Sequence, residues 1–347
     1  MDPVDLVALT RALVDIDSTT GREADAGRWL ADYLRGRGFA VTEQRVDASR
    51  FNVIATPGDP LVVLSTHFDC VPPYFPSRFD GDRIHGRGSC DAKGILAAQV
   101  AAVERLRRDG EPRVGLVFVV GEERGSDGAR AANEIGNRSR FLINGEPTDN
   151  RLGAATRGML RVKLRAAGRA AHSSFPELGE SAIDKLLDSL AALRSMPLPS
   201  DPLLGRTHYT IGLISGGVAP NVVSPSAEAE IMFRTVGDAS DVRRAIAALA
   251  PSVIVEDILE VPPVRLKVVD GFATAIFPFT TDIPFLRGWG EPLLIGPGSV
   301  HLAHTAEESV AVAELEAAVD HYAALARELV RQAELSARAD AASASTA

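Results

Sequence analysis

The chain has 347 residues, 46% hydrophobic and 24% charged, with a formal net charge of −9 at pH 7; this fits one large or two folded domains and argues against a nucleic-acid partner. No apolar run nears the ~20 residues that span a bilayer, and the first residues lack the basic and apolar regions of a secretory leader, so a cytoplasmic protein with no membrane partner is expected. The two cysteines, Cys70 and Cys90, build no disulfide framework; ligation, redox chemistry and plain buried packing are their open uses.

Residues 4–13 carry apolar positions at helical spacing, and Ser18-Thr19-Thr20-Gly21 breaks the pattern. A second helix is predicted over 22–37, with Ala26, Leu30 and Leu34 as its apolar face, ending at Gly38. Residues 39–41 and 51–54 read as short strands. Leu61-Val62-Val63-Leu64 then has the length and β-branched content of a buried strand. His67 and Asp69 follow at its end, and residues two apart in extended backbone point the same way, so Asp69 can hold His67 in one tautomer. Next comes Gly86-Arg87-Gly88-Ser89-Cys90-Asp91, before a helical pattern of Ile95, Leu96, Ala98, Val100, Val103 and Leu106. A carboxylate-backed His with a second Asp at a helix start reads as a metal site. The plainer reading makes Asp91 an N-cap and His67 a hydrogen-bonded side chain.

The apolar run 114–120 predicts a strand buried on both faces, stopping at Gly121-Glu122-Glu123; the strand 141–143 stops at Asn144-Gly145-Glu146. Strands alternating with helices indicate an α/β fold with a largely parallel sheet, whose ligands gather beyond the carboxyl ends of strands. His67, Asp69, Glu122, Glu123 and Glu146 all fall there, a convergence that solubility does not explain. Histidine and carboxylates together suit Zn2+, and two metals about 3.5–4 Å apart act together in many hydrolases. Asp91, central among the candidates, is assigned the bridge. Glu122 and Glu123 are adjacent, so one ligates while the other faces the water as general base.

The pattern changes at Arg157-Gly158, where Leu160, Val162, Leu164 and Ala166 alternate with Arg161, Lys163 and Arg165, a strand with one wet face. A helix over 181–193, strands over 208–213 and 227–235, a helix over 240–249 and a strand over 252–259 follow. This is the split βαβ order, inserted as its own domain with an edge or face left for self-association. After Pro262-Pro263 the α/β character returns, with a strand at Leu293-Leu294-Ile295 and a Gly296-Pro297-Gly298-Ser299 loop. His304-Thr305-Ala306-Glu307-Glu308 leads into a last helix ending near Leu335. The expected domains are 1–157 and 266–335 (catalytic), 158–265 (inserted) and a disordered Ala/Ser-rich tail, 336–347. A Gly-x-Ser-x-Gly elbow, a Walker-type loop and a Gly-x-Gly-x-x-Gly after a first strand are all missing from the sequence, which disfavours serine-hydrolase and nucleotide-dependent readings.

Seven ordered blocks, THFDCVPP, GRGSCDAKG, GEERGSDGA, GEPT, GRAAHSSFPELGESAI, GGVAPNVV and GPGSVHLAHTAEE, resemble the co-catalytic zinc aminoacylase and carboxypeptidase family. Its members include acetylornithine deacetylase, succinyl-diaminopimelate desuccinylase, glutamate carboxypeptidase and related dipeptidases. The resemblance spans about residues 5–335. It implies a three-layer zinc-peptidase-like catalytic domain with an inserted ferredoxin-like α+β lid that dimerises. It also implies that His67, Asp91 and Glu146 hold one metal, and that Asp91, Glu123 and His304 hold the other. Asp69 would orient His67, and Glu122 would carry the proton from the attacking water to the leaving nitrogen. His172 would stabilise the oxyanion, in relatives usually from the partner subunit of a homodimer. Asn221 and Arg234 resemble substrate-binding residues, Arg234 suiting a carboxylate, and the loop from Gly296 to Gly298 would lie against the substrate. His304 is preferred to His301 because AHTAEE matches the family's His-Thr run.

Two departures stand beside the match. Ser65 and Thr66 precede His67, and Cys70 follows Asp69, where many relatives have Gly and Val, so the pocket floor is expected to differ. By strand alternation Arg234 shares a side with Glu228 and Glu230, so a surface ion pair competes with a substrate role. The expected reaction is hydrolysis of an amide next to a free carboxylate, with two Zn2+ ions, Co2+ or Mn2+ as alternatives. N-acyl amino acids such as acetylated ornithine, lysine or citrulline are the first substrate class, and small peptides the alternative. A catalytically silent metal-binding relative would have lost Glu122 or a ligand, and all are present.

Overall fold

Val62–His67 and Val114–Val119 have every side chain buried, as strands covered on both faces require. Together with Phe141–Asn144 and Glu291–Leu294 they form the parallel part of a six-stranded sheet. Its far edge is an antiparallel hairpin of Thr42–Arg45 and Phe51–Ala55. These elements come from a computed structural model that describes residues 2–135, 139–249 and 251–344. It divides into two units: Met1–Ala154 with Leu266–Ala275 and Thr281–Ala347, and Ala155–Arg265 with Ile276–Thr280.

In the first unit, alternate side chains of each strand face opposite layers. Leu64, Leu116, Phe118 and Ile143 pack against Leu30 and Leu34 of the helix Ala24–Gly36, Leu96 and Val100 of Lys93–Arg108, and Leu325 and Leu329 of Val312–Ala344. Val63, Val117, Val119 and Leu142 face the other way, onto Ala129 and Ala132 of Asp127–Ala132 and onto Leu286 and Trp289. The result is a three-layer α/β unit. Register decides what this layering presents. His67 lies beside Val119 and Ser65 beside Asn144, so the chain leaves three neighbouring parallel strands at one rim.

Two elements differ from the sequence reading. The edge strand forms at Thr42–Arg45, not at 39–41, because Phe39 and Val41 are used to pack against the core. The last helix continues through Ala344 beyond the expected end near Leu335, so the segment read as a disordered tail is helical up to that point; its many alanines are strong helix formers. Residues 345–347 of that tail lie outside the described residues.

The second unit holds an antiparallel four-stranded sheet in the order His208–Gly216, Ser226–Thr235, Gly158–Ala167, Ile254–Val261. The helices Ala182–Arg194 and Ala239–Ile246 cover one face, giving the split βαβ topology. Leu160, Val162, Leu164, Ile231 and Phe233 meet Leu186, Leu190, Val242 and Ile246 there. The other face carries charge: Arg161 and Lys163 pair with Glu230, and Arg165 with Glu256. Among the described residues, no helix is long and apolar enough to cross a membrane.

Candidate metal centre

His67 ends its strand with the imidazole 1% exposed. Nδ1 donates to the backbone oxygen of Asp69 at 3.1 Å and lies 3.4 Å from Asp69 Oδ1. With Nδ1 so engaged, Nε2 points inward, 3.0 Å from Asp91 Oδ1 and 4.0 Å from Glu146 Oε2. Asp69 is fully buried and accepts from the Thr20 hydroxyl at 2.8 Å and from the N–H groups of Glu122 and Glu123 at 3.1 and 3.3 Å. One carboxylate thereby fixes the ring of His67 and the turn that carries the glutamate pair.

That turn begins at Gly121, whose φ of 76° lies in the left-handed region that glycine favours. A Cβ there would collide with Asp127 Oδ1 at 1.7 Å. The short 3-10 turn Glu122–Arg124 follows and delivers Glu123 Oε1 to 2.8 Å from His304 Nε2. His304 Nε2 also lies 3.3 Å from Asp91 Oδ2. Asp91 therefore divides its two oxygens between two histidines, one on each side. Ligand atoms of His67, Asp91 and Glu123 lie within 4.8 Å of one another. His304, not His301, reaches this cluster.

The electrostatics run in one direction. Burial disfavours a charged His67, yet its hydrogen bonds to Asp69 and Asp91 raise its pKa well above the usual value. Hydrogen bonds to Asp91 and Glu123 push His304 up to about 10. Burial works against the Asp91 anion, but His304 and His67 hold its carboxyl well below the ordinary range. Burial pushes Glu122, Glu123 and Glu146 upward, with the charge of Glu146 adding to the rise at Glu122. The carboxylates draw positive charge into the cluster. Among the described residues, no Lys or Arg pairs with Asp91, Glu122, Glu123 or Glu146. Glu146 Oε1 is buried without a hydrogen-bond partner, an arrangement that is costly unless a cation occupies its lone pairs. Two imidazoles and a surplus of buried carboxylates fit a divalent metal of borderline hardness.

The Gly296–Gly298 loop is tied to the segment after Glu146: Asp149 N–H donates to Gly298 O and Asn150 N–H to Gly296 O, both at 2.8 Å. A Cβ on Gly296 would lie 2.5 Å from Glu146 O, so close packing against the backbone at Glu146 accounts for that glycine. His172, Asn221 and Arg234 belong to the second unit. His172 and Asn221 are exposed on adjacent segments, joined by a Ser173 N–H to Asn221 O bond of 3.0 Å. His172 Nδ1 accepts from Ser174 N–H at 3.1 Å, which leaves Nε2 to carry the proton. Arg234 is partly buried and enters no ion pair among the described residues; Glu228 and Glu230 pair with Lys163, Arg161 and Arg165 instead.

Sequence reasoning missed four residues around the cluster. Thr20, in the Ser-Thr-Thr-Gly break, secures Asp69. Arg87 and Glu308 form a buried pair between the Asp91 and His304 loops, and Glu308 was readable only as the last residue of AHTAEE. Asp282 carries no sequence signal; it is fully buried, with the Ser126 hydroxyl beside its carboxyl.

Histidines and buried carboxylates thus converge at the carboxyl rim of the parallel strands, where α/β enzymes gather their ligands. Residues 63–328 match the model of Peptidase family M20/M25/M40, and the chain belongs to that family. It is 41% identical over 361 aligned positions to a protein of Aspergillus terreus named a probable carboxypeptidase, covering 90% of this chain and 83% of that one. Its fold is similar to a tripeptidase from Staphylococcus aureus (TM-score 0.79, 21% identity, 94% of this chain and 98% of that one). It is also similar to a Bacillus subtilis protein described as a dinuclear metal binding peptidase of the M20 family (TM-score 0.67, 16% identity, 92% and 96% covered).

Proposed function

We propose that this chain is a two-metal carboxypeptidase or dipeptidase that hydrolyses the amide bond preceding a free carboxylate in short peptides. The observation that carries the reading is Asp91, whose two oxygens face His67 at 3.0 Å and His304 at 3.3 Å. His67, Asp91 and Glu146 are assigned to one ion and Asp91, Glu123 and His304 to the other, zinc by ligand type. When bound, such a pair supplies Lewis acidity to the scissile carbonyl and makes water acidic near neutral pH.

Glu122 takes the proton of the attacking water and returns it to the leaving nitrogen; its raised pKa suits a group that must both accept and give. Asp69 keeps His67 in the tautomer that presents Nε2. His172, protonated on Nε2, is assigned to the developing oxyanion, and Asn221 and Arg234 to substrate binding. The relative named a carboxypeptidase supports peptides over the N-acyl amino acids expected first from the sequence. The exposed Leu213 and Ile214 on the edge strand His208–Gly216 support self-association through the second unit.

The test is amino-acid release from dipeptides, longer peptides, and N-acetyl and N-succinyl amino acids, with and without chelator. Peptide turnover that chelator abolishes and Zn2+ restores is expected. Turnover confined to N-acyl amino acids would replace this reading with deacylation.

A further inference from the structure

Glu308 is fully buried and hydrogen-bonded within its own chain. Oε1 accepts from the N–H groups of Gly88 at 2.9 Å, Asp91 at 3.2 Å and Cys90 at 3.3 Å. Oε2 accepts from the guanidinium of Arg87, itself 2% exposed. Four donors of its own chain therefore surround a carboxylate with about four lone-pair sites. Glu146 is the contrast, buried with Oε1 unpartnered. Glu308 thus turns all four of these bonds to its own chain.

Its bonds reach two candidate ligands from behind. One runs to the backbone N–H of Asp91. The other runs through Arg87, which donates to His304 O at 3.4 Å and to Pro73 O at 3.2 Å, and lies over the Phe75 ring at 5.0 Å. His304 has φ of 65°, a left-handed conformation that a non-glycine residue holds only when its surroundings fix it. Glu308 is anchored in turn: its backbone oxygen accepts from Gly86 N–H at 3.1 Å, and the next strand, Ser309–Ala311, pairs with Arg83–His85.

We propose that Arg87 and Glu308 are a positioning pair that holds the Asp91 and His304 loops in register and so sets the affinity for the metal that Asp91, Glu123 and His304 share. This rests on the ligand assignment above. Partners of this kind typically contribute about 10–100-fold in metal affinity. The ion held by His67 and Glu146, which leave the ends of two strands, depends on the pair only through Asp91 and should weaken less.

The experiment is calorimetric titration of chelator-stripped protein with Zn2+, with thermal melting of the same stripped samples. Wild type should bind two equivalents. Glu308→Gln, which places an amide N–H2 against Arg87, should weaken one equivalent by about 10–100-fold, leave the other closer to wild type, and recover turnover at raised Zn2+. Arg87→Lys keeps the charge beside Glu308 but loses the fork that reaches His304 O; it should weaken the same equivalent, and it decides the matter if Glu308→Gln does not fold. Two equivalents bound with wild-type affinity by Arg87→Lys and by any folded Glu308→Gln would overturn the pair, whatever their melting temperatures. Wild type that binds only one equivalent would overturn the ligand assignment, and the pair with it.

Discussion

Asp69 accepts the backbone N–H of Glu122 at 3.1 Å while its other contacts hold His67 and Thr20, so the orientation of the proposed ligand His67 and the placement of the proposed base Glu122 depend on one buried carboxylate. Replacing one oxygen by an amide nitrogen points a donor at groups that are themselves donors. Asp69→Asn should therefore lower kcat/KM by about 10–100-fold with the fold intact. Steady-state kinetics beside near-ultraviolet circular dichroism checks this, and chelator competition shows whether the loss follows metal affinity.

Glu122 has a different signature. It pairs with no cation among the described residues, and burial, then the charge of Glu146, raises its pKa well above the usual range. Glu122→Gln should keep the metal content of wild type and lose about 10^2–10^4-fold in kcat. Metal analysis of the purified variant and single-turnover rates separate the two effects. Loss of metal would make Glu122 a ligand instead.

Much of this site was legible before any fold was known, for a physical reason. Buried parallel strands announce themselves as apolar runs, and the residues at or just past their ends, His67, Glu122, Glu123 and Glu146, are where such sheets place ligands. The wet-faced alternation of Leu160 to Ala166 marked the second sheet in the same way. What stayed hidden had no periodicity to betray it. The edge strand Thr42–Arg45 has no apolar face, because an exposed edge needs none. Arg87 and Glu308 are single charged residues distant in sequence, and only the chain's return past the Asp91 loop makes them a buried pair. Arg234 alternated correctly with Glu228 and Glu230, but alternation fixes a side and not a partner.

Asp282 supplies a pH prediction. Burial pushes its carboxyl up to about 7, with the nearby Ser126 hydroxyl and the charge of His67 working against the rise. Its folded pKa exceeds the ordinary 3.8, so the fold favours the neutral acid. That contribution is fully present below about 3.8 and is lost as the pH rises through about 7. Asp282→Asn keeps a neutral group of the same shape at every pH. In metal-free protein the variant should melt above wild type at pH 8, and the gap should close as the pH falls toward 4. Thermal melts across that range check it; a gap that does not vary with pH would remove Asp282 as its source.

Arg234 gives the sharpest discrimination between a peptidase that reads a free carboxylate and one that does not. Burial lowers its pKa, and a partly buried guanidinium with no ion partner among the described residues is retained at a cost. A bound carboxylate offsets that cost by filling the fork with two charge-assisted bonds. Such bonds contribute about 1.5–3 kcal/mol, so Arg234→Leu should raise KM by about 10–100-fold and leave kcat near that of wild type, the pattern of lost uniform binding. The decisive comparison uses the same peptide with its C-terminal carboxylate converted to an amide. Wild type should lose on that substrate what the variant loses on the free acid, and the variant should lose nothing more, because the two changes remove one interaction. Equal, additive losses in both enzymes would place the carboxylate elsewhere and leave Arg234 a structural cation.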